Sequence, residues 1–304
     1  MEPTFRSGTV AILGRPNAGK STFLNQVLGQ KLAIVSPKPQ TTRGKLLGVY
    51  QDETCQIAFL DTPGLHVPQH AVSVHMLEEV EEALKNAEAV LYLVDATRGV
   101  TEEDEKAALR IREFKGPKVL ALNKTDQLPA EAVEPLEAKI KETFGTESVF
   151  RIQAINGLGT KEVLLGLRDH LMEGPPIYEE DTLTDKTVRE LTVELIREQC
   201  FLQLQQELPY ELAIEIVSFE EKEPPDPTVI QVDLFVEKDN QKGIVIGAKG
   251  NRLKAIGMAA RLEIEKLTQG KVFLEMRVKV FPNWRKDPQA LRRFGFGSQP
   301  HKKR

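Results

Sequence analysis

Between residues 8 and 174 the chain alternates short apolar runs with amphipathic stretches of helical period. The apolar runs fall at 9–13, 46–50, 56–60, 89–94, 118–122 and 147–151. Each has the length and the Val, Ile and Leu content of a buried strand. Helical patterns fill 71–86, 101–114, 129–144 and 159–173, and residues 22–28 read as one more helix. Strands alternating with helices predict an α/β domain over 1–174 with a mainly parallel sheet. Two stretches break the rhythm. Residues 30–45 carry Pro37, Pro39 and the polar Gln40, Thr41, Thr42 and Arg43, and 62–70 follows Asp61. Loops that follow strands in such a sheet are where ligands bind.

The rhythm changes after Gly174, Pro175 and Pro176. With the acidic Glu179, Glu180 and Asp181 behind them, residues 174–183 read as a linker. Over 184–284 the pattern predicts a helix to about 206, capped by Thr184 and Asp185 and ended by Pro209. Strands follow at 210–219 and 228–237, then a short helix leading into Gly247. Next come a longer helix over 251–268 and a last strand over 271–281. Leu253, Ile256, Ala260, Ile264 and Leu267 share one face of the longer helix. The order α-β-β-α-α-β predicts an α+β domain. Residues 285–304 read as a basic tail. No internal repeat is apparent.

Composition narrows the class. The 304 residues are 40% hydrophobic and 28% charged, an ordinary globular balance. No run has the length of a membrane span, and neither an apolar leader core nor a lipidation signal is read in. Cys55 and Cys200 lie far apart in apolar-periodic segments. They read as two buried thiols of a reducing compartment. The five histidines show no zinc-ligand spacing. Net charge is −4, but residues 243–304 hold 15 Lys and Arg against 4 Asp and Glu, a net of +11, which leaves −15 for residues 1–242. A basic end of this density points to a polyanion partner.

The chemistry starts at Gly14, Arg15, Pro16, Asn17, Ala18, Gly19, Lys20 and Ser21, which fit G-x-x-x-x-G-K-[ST] between a strand and a helix. In that context the glycines let backbone N–H groups curl around a polyphosphate, and the helix opening at Ser21 and Thr22 adds its positive end. Lys20 is expected on the outer phosphates and the Ser21 hydroxyl on Mg²⁺. Asp61, Thr62, Pro63 and Gly64 end the strand over 56–60. Asp61 is placed to hold Mg²⁺ through water, and the Gly64 N–H to bond the γ-phosphate.

Asn123, Lys124, Thr125 and Asp126 end the strand over 118–122 and supply base selectivity. The Asp126 carboxylate can accept from N1–H and the 2-amino group of guanine. Adenine offers neither donor, and an unpaired acceptor costs on the order of 1–3 kcal/mol, so one residue suffices to reject ATP. Asn123 is expected to tie its loop to the phosphate loop, and the Lys124 stem to cover the base plane. The three motifs in this order predict GTP binding.

The motifs resemble the translation-factor-like branch of P-loop GTPases, and Gln40 to Arg43 resembles the first switch of the Era family. That resemblance implies that Thr42 ligates Mg²⁺ and senses the γ-phosphate, with Thr41 as the alternative. It makes Lys20, Thr42 and Gly64 the catalytic set. Many GTPases carry a glutamine where Leu65 stands here, and leucine cannot orient water. Relatives with a hydrophobic residue at this place hydrolyse GTP slowly by themselves. In several of them an asparagine at the place of Asn17 helps hold K⁺, so Asn17 is a candidate K⁺ ligand. The last nucleotide motif usually reads Ser-Ala-x. Here it is Gln153, Ala154 and Ile155, of which the Ala154 N–H is expected on guanine O6.

Ile244, Val245 and Ile246, then Gly247, Ala248, Lys249 and Gly250, then Asn251, Arg252, Leu253 and Lys254 resemble a KH domain of type II. There a Gly-x-x-Gly loop between two helices clamps a single-stranded backbone beside a groove that reads about four bases. Lys249, Arg252 and Lys254 would neutralise phosphates. Trp284, beside Arg285, Lys286, Arg292 and Arg293, is placed either to stack a base or to seal a core. Pro300 to Arg304 would add non-specific attraction. A GTPase domain followed by a type II KH domain is the Era-family architecture. The family implies binding near the 3′ end of 16S ribosomal RNA during maturation of the 30S subunit. It also implies a cytoplasmic protein, partly peripheral at the inner membrane. The alternative is a membrane-associated signalling GTPase whose second domain binds a protein effector.

Overall fold

The computed structural model of the chain describes residues 4–38, 46–62, 64, 80–222 and 225–294. It falls into two units, Met1–Asp185 and Lys186–Arg304.

The first unit runs β1 (Arg6–Gly14), α1 (Lys20–Leu28), β2 (Leu46–Gln51) and β3 (Cys55–Asp61). A helix described over 80–86, α2, precedes β4 (Ala89–Asp95), α3 (Glu102–Glu113), β5 (Lys118–Asn123), α4 (Ala130–Phe144), β6 (Val149–Arg151), α5 (Thr160–Arg168) and β7 (Met172–Glu173). The sheet order is β2-β3-β1-β4-β5-β6, with β7 also on β1. β2 and β7 run antiparallel to their neighbours, and the other pairs are parallel. β3 and β4 are buried at every position, as strands covered on both faces are. The parallel register sets Ile12 beside Asp61 and Asp95 beside Asn123, so the loops after β1, β3, β4 and β5 open at one edge of the sheet.

Two expectations change here. The helix expected over 159–173 stops at Arg168, and Met172–Glu173 pairs with Ser7 and Arg6 instead. The stretch read as a linker is tied to the first unit. Ser7 Oγ donates to the Pro175 carbonyl at 2.7 Å, and Val49 N–H donates to the Leu183 carbonyl at 2.9 Å. Gln56, fully buried in β3, accepts from the N–H groups of Ile177 and Tyr178 at 2.7 and 2.8 Å and donates to the Tyr178 carbonyl at 2.9 Å. Local composition reads only prolines and acids there; the partners lie far away in sequence.

The second unit runs α6 (Val188–Gln203), β8 (Ala213–Glu220), β9 (Thr228–Val236), α7 (Asp239–Ile246), α8 (Asn251–Thr268), β10 (Val272–Val280) and α9 (Pro288–Arg293). Its sheet order is β10-β9-β8, with β9 antiparallel to β8 and parallel to β10. The α6 cap is Thr187, not Thr184 or Asp185. Thr187 and Glu190 exchange side-chain and backbone hydrogen bonds as a capping box. Ile256, Ala260 and Ile264 are buried against the sheet as expected. Trp284 is 1% exposed, donates from Nε1 to the Glu211 carbonyl and stands edge-on to Phe294. It seals a core with Ala213, Phe235, Ala290 and Phe294. Residues 285–294, expected as tail, therefore fold back over that core. Among the described residues no helix is long and apolar enough to cross a membrane.

Candidate functional site

The phosphate loop is held by glycines used for close approach. A Cβ on Gly19 (φ 98°) would lie 2.1 Å from Asn123 Nδ2. Its absence lets that amide donate to the Ala18 carbonyl at 2.8 Å. Asn123 Oδ1 accepts from the N–H groups of Lys124 (2.8 Å) and Ala154 (3.0 Å). One buried amide thus joins the loop after β1, the turn after β5 and the 153–155 loop, which is the tie expected of Asn123.

Around it, four residues expected at the nucleotide make bonds within the protein. The Ala154 N–H, expected on guanine O6, goes to Asn123. Lys124 Nζ pairs with Asp95 Oδ2 at 2.6 Å. Burial raises the Asp95 carboxyl, but bonds from Lys124 and Thr97 outweigh it and hold the group below the usual carboxylate range. Arg15, although in the phosphate loop, turns its side chain away to Asp104. Gln153 accepts from Asn156 Nδ2 at 2.8 Å while its N–H bonds the Leu158 carbonyl, so it braces the turn beneath Ile155, which is 77% exposed. Asp126 sits exposed in the turn after β5.

Lys20 and Asp61 are both buried. Lys20 Nζ donates to the Gly14 and Arg15 carbonyls at 3.1 Å each. Burial pulls its ammonium down to about 8, opposed by Asp61. Burial pushes the Asp61 carboxyl up to about 6, opposed by Lys20 and by the bonds from Ser21 and Thr62. Ser21 Oγ donates to Asp61 Oδ2 at 2.9 Å, and buried Asp61 Oδ1 has no hydrogen-bond partner among the described residues. An alcohol bonded to a carboxylate with a spare oxygen is the hard-oxygen donor set that Mg²⁺ and its waters take, so these residues fit the metal. Thr62 is locked by its hydroxyl to the Ile12 carbonyl at 2.9 Å. Gly64 lies against the phosphate loop, where a Cβ would come 2.6 Å from Pro16 N.

A cavity of about 240 Å³ runs from Lys20, Ser21 and Thr22 past Pro16, Asn17 and Gly64 to Lys124. Ile34, Val35, Ser36 and Pro37 close its other side, and Asn17 Nδ2 donates to the Pro37 carbonyl at 2.7 Å. Thr41, Thr42, Pro63 and Leu65 lie outside the described residues. The sequence reading missed Asp95 and residues 34–37. Asp95 had a signal, since it ends a strand at the same sheet edge as Asp61 and Asn123.

In the second unit Gly247 (φ 71°), Lys249 (φ 50°) and Gly250 (φ 77°) make the turn between α7 and α8. Ala248, Lys249, Arg252 and Lys254 are exposed, and Arg252 Nη1 donates to the Ile244 carbonyl. An open groove of about 310 Å³ follows this turn, lined by Gly250, Leu253, Lys254, Gly257, Met258, Arg261, Leu274 and Met276. It has a basic rim and an apolar floor, suited to a backbone and unstacked bases. Arg261 was missed, though it stands two turns beyond Lys254 on one helix face. Much of the other basic charge is spent inside the unit: Arg285 on Glu211 and Glu237, Arg293 on Glu215, Lys279 on Asp233.

A family model described as a 50S ribosome-binding GTPase matches residues 9–124, and one described as a KH domain matches residues 207–285. The chain is 38% identical to GTPase Era of Alkaliphilus metalliredigens over 293 residues, 96% of this chain and 99% of that protein. It is similar to the crystal structure of an Aquifex aeolicus Era variant bound to GDP and AlF4⁻, at 36% identity and a TM-score of 0.91, over 97% of this chain and 100% of that one. It is equally similar, at 36% identity and a TM-score of 0.90 over the same shares, to Era in complex with MgGDPNP and nucleotides 1506–1542 of 16S ribosomal RNA. A phosphate loop tied to a guanine-type turn in one unit, a Gly-x-x-Gly groove in the other, and this likeness over nearly the full length mean that the chain belongs to the Era family of GTPases.

Proposed function

We propose that this GTPase binds the 3′ end region of 16S ribosomal RNA through its second unit and assists maturation of the 30S subunit in the cytoplasm. The observation that carries the reading is the groove after Gly250. It lies beside exposed Lys249, Arg252 and Lys254, in a chain whose other unit has the nucleotide motifs tied together by Asn123.

In the nucleotide unit, backbone N–H groups from Gly14 to Thr22 receive the phosphates, and Lys20 exchanges the Gly14 and Arg15 carbonyls for phosphate oxygens. Asp126 selects guanine. Ser21, Asp61 and Thr42 hold Mg²⁺, which when bound neutralises charge on the phosphate oxygens. The Gly64 N–H bonds the γ-phosphate. With leucine at 65, the attacking water is not oriented by a glutamine. Asn17 supplies an oxygen for K⁺ beside the phosphates. Support for this comes from its φ of 64° and its bond to Pro37, which hold its amide on the cavity wall.

Three measurements test the reading. Labelled GTP should be displaced by GDP but not by a large excess of ATP, hydrolysis should run faster in KCl than in matched NaCl, and RNA cross-linked in cells should map to the 3′ end of 16S RNA. Equal rates in the two salts remove K⁺ alone, ATP competition removes the guanine assignment, and cross-links elsewhere remove the RNA assignment.

A further inference from the structure

Behind the phosphate loop lies a buried polar network that the nucleotide reading does not use. The Arg15 side chain is 4% exposed and that of Asp104 0%. Arg15 Nε stands 2.8 Å from Asp104 Oδ2 as an ion pair, and Arg15 Nη2 donates to the Gly99 carbonyl at 3.3 Å. Asp104 Oδ1 accepts from the hydroxyl of Tyr92, itself fully buried in β4, at 2.9 Å. Asp104 Oδ2 accepts from the N–H and the hydroxyl of Thr101, both at 2.9 Å, closing the capping box that starts α3. The carboxylate is thus fixed from β4 and from α3 before Arg15 reaches it.

Arg15 is also the residue whose own carbonyl accepts from Lys20 Nζ, and the next residue, Pro16, packs on Gly64. Its side chain therefore fastens the middle of the loop from the rear, on the side away from the cavity. Because Asp104 cancels the guanidinium charge, the pair adds geometry to the phosphate site and little potential. Loop N–H groups held in place before an anion arrives bind it more tightly, since less ordering is left to binding.

We propose that Arg15 is a positioning residue for nucleotide binding. Its buried pair with Asp104 pre-sets the phosphate loop and couples the start of α3 to the phosphate site. The inference rests on the nucleotide reading above.

The test separates geometry from charge. If Arg15 acted on the phosphates through its charge, Asp104→Asn would unmask that charge and tighten GDP and GTP. If it acts by position, Asp104→Asn loosens the anchor and weakens both, by about threefold to tenfold. Arg15→Met, which fills similar volume without charge, should weaken nucleotide to the same extent. The double variant should lose no more than either single one, because the two side chains work as one unit. Arg15→Lys should recover part of the loss. In all variants kcat at saturating GTP should stay within about twofold and RNA affinity should be unchanged, while KM rises. Should Arg15→Met fail to fold, Asp104→Asn alone decides, because the amide keeps the size of the carboxylate, its one oxygen can still accept from Thr101, and its NH2 can donate to the Tyr92 hydroxyl, which then turns its proton away. Unchanged or tighter nucleotide binding in Asp104→Asn overturns the proposal and leaves the pair a core staple, whatever happens to the melting temperature. If the parent protein itself binds no guanine nucleotide, it is the underlying reading that has failed.

Discussion

At the scale of the residue, Lys20 and Asp61 show what a phosphate site costs before its ligand arrives. Both are buried, each with an ionised form that water would solvate better, and each moves toward neutrality: Lys20 down to about 8, Asp61 up to about 6. For Asp61 the folded value lies above the unfolded 3.8, so the native state binds more protons between about 4 and 6. Its burden on stability is absent below that window and complete above it. Lys20 carries the mirror case, with a burden complete below about 8 and relieved toward 10.5. Other carboxylates slope the opposite way in acid, among them Asp52 and Asp95, so the prediction is a difference. In protein free of nucleotide and Mg²⁺, Asp61→Asn should gain stability relative to the parent as pH rises from 4 to 7, with most of the gain below 6. Denaturant midpoints at several pH values measure it, and a flat or falling difference would show that Asp61 is not an uncompensated buried charge.

At the scale of the element, β2 and β3 do more than close the sheet. They precede and follow the loops that carry the nucleotide motifs, and Gln56 and Val49 on them hold residues 177–183. Gln56 uses both ends of a fully buried amide on that strap. Gln56→Leu would leave the Ile177 and Tyr178 N–H groups and the Tyr178 carbonyl unpaired. An unpaired buried group costs about 1–3 kcal/mol, less where water reaches it after release. The expected result is a lower urea midpoint for the first unit and faster cleavage within 177–183 by a dilute protease. Cleavage at the parental rate would mean that the strap is held by its apolar contacts, such as Tyr178 on the core, rather than by Gln56.

At the scale of the whole molecule, two units with separate cores make two functions separable by mutation. Replacing Ala248 and Lys249 together by Asp sets two carboxylates in the Gly-x-x-Gly turn and removes one cation. Lys249 lies at φ 50°, a backbone that Asp tolerates better than most residues, and Ala248 is exposed, so the fold should survive. RNA ending like the small-subunit 3′ terminus should bind roughly tenfold more weakly or worse, with GTP affinity unchanged. Parental RNA affinity would move the RNA site off this turn to another basic face.

Features that depend on neighbours along the chain are legible from the residues alone. Strand and helix alternation, the α-β-β-α-α-β order, the phosphate loop and the Gly-x-x-Gly turn are written in local period and in glycines that only a few backbone shapes require. Asn123 was legible as the tie to the phosphate loop because its motif fixes its place at a strand end. Features that depend on the residue opposite come from the packed fold. From its sequence Trp284 suits a base or a core, and Phe294 and the Glu211 carbonyl enclose it in a core. Residues 174–183 read as a linker, and Gln56 and Val49 supply partners to 177–183 from distant strands. Arg15 reads as one more phosphate-loop residue, and the fold sets Asp104 beside it, as it sets Asp95 beside the Lys124 ammonium. A charged or polar side chain goes where its partner is, and a partner that the fold brings from a distant element leaves no mark in the local sequence.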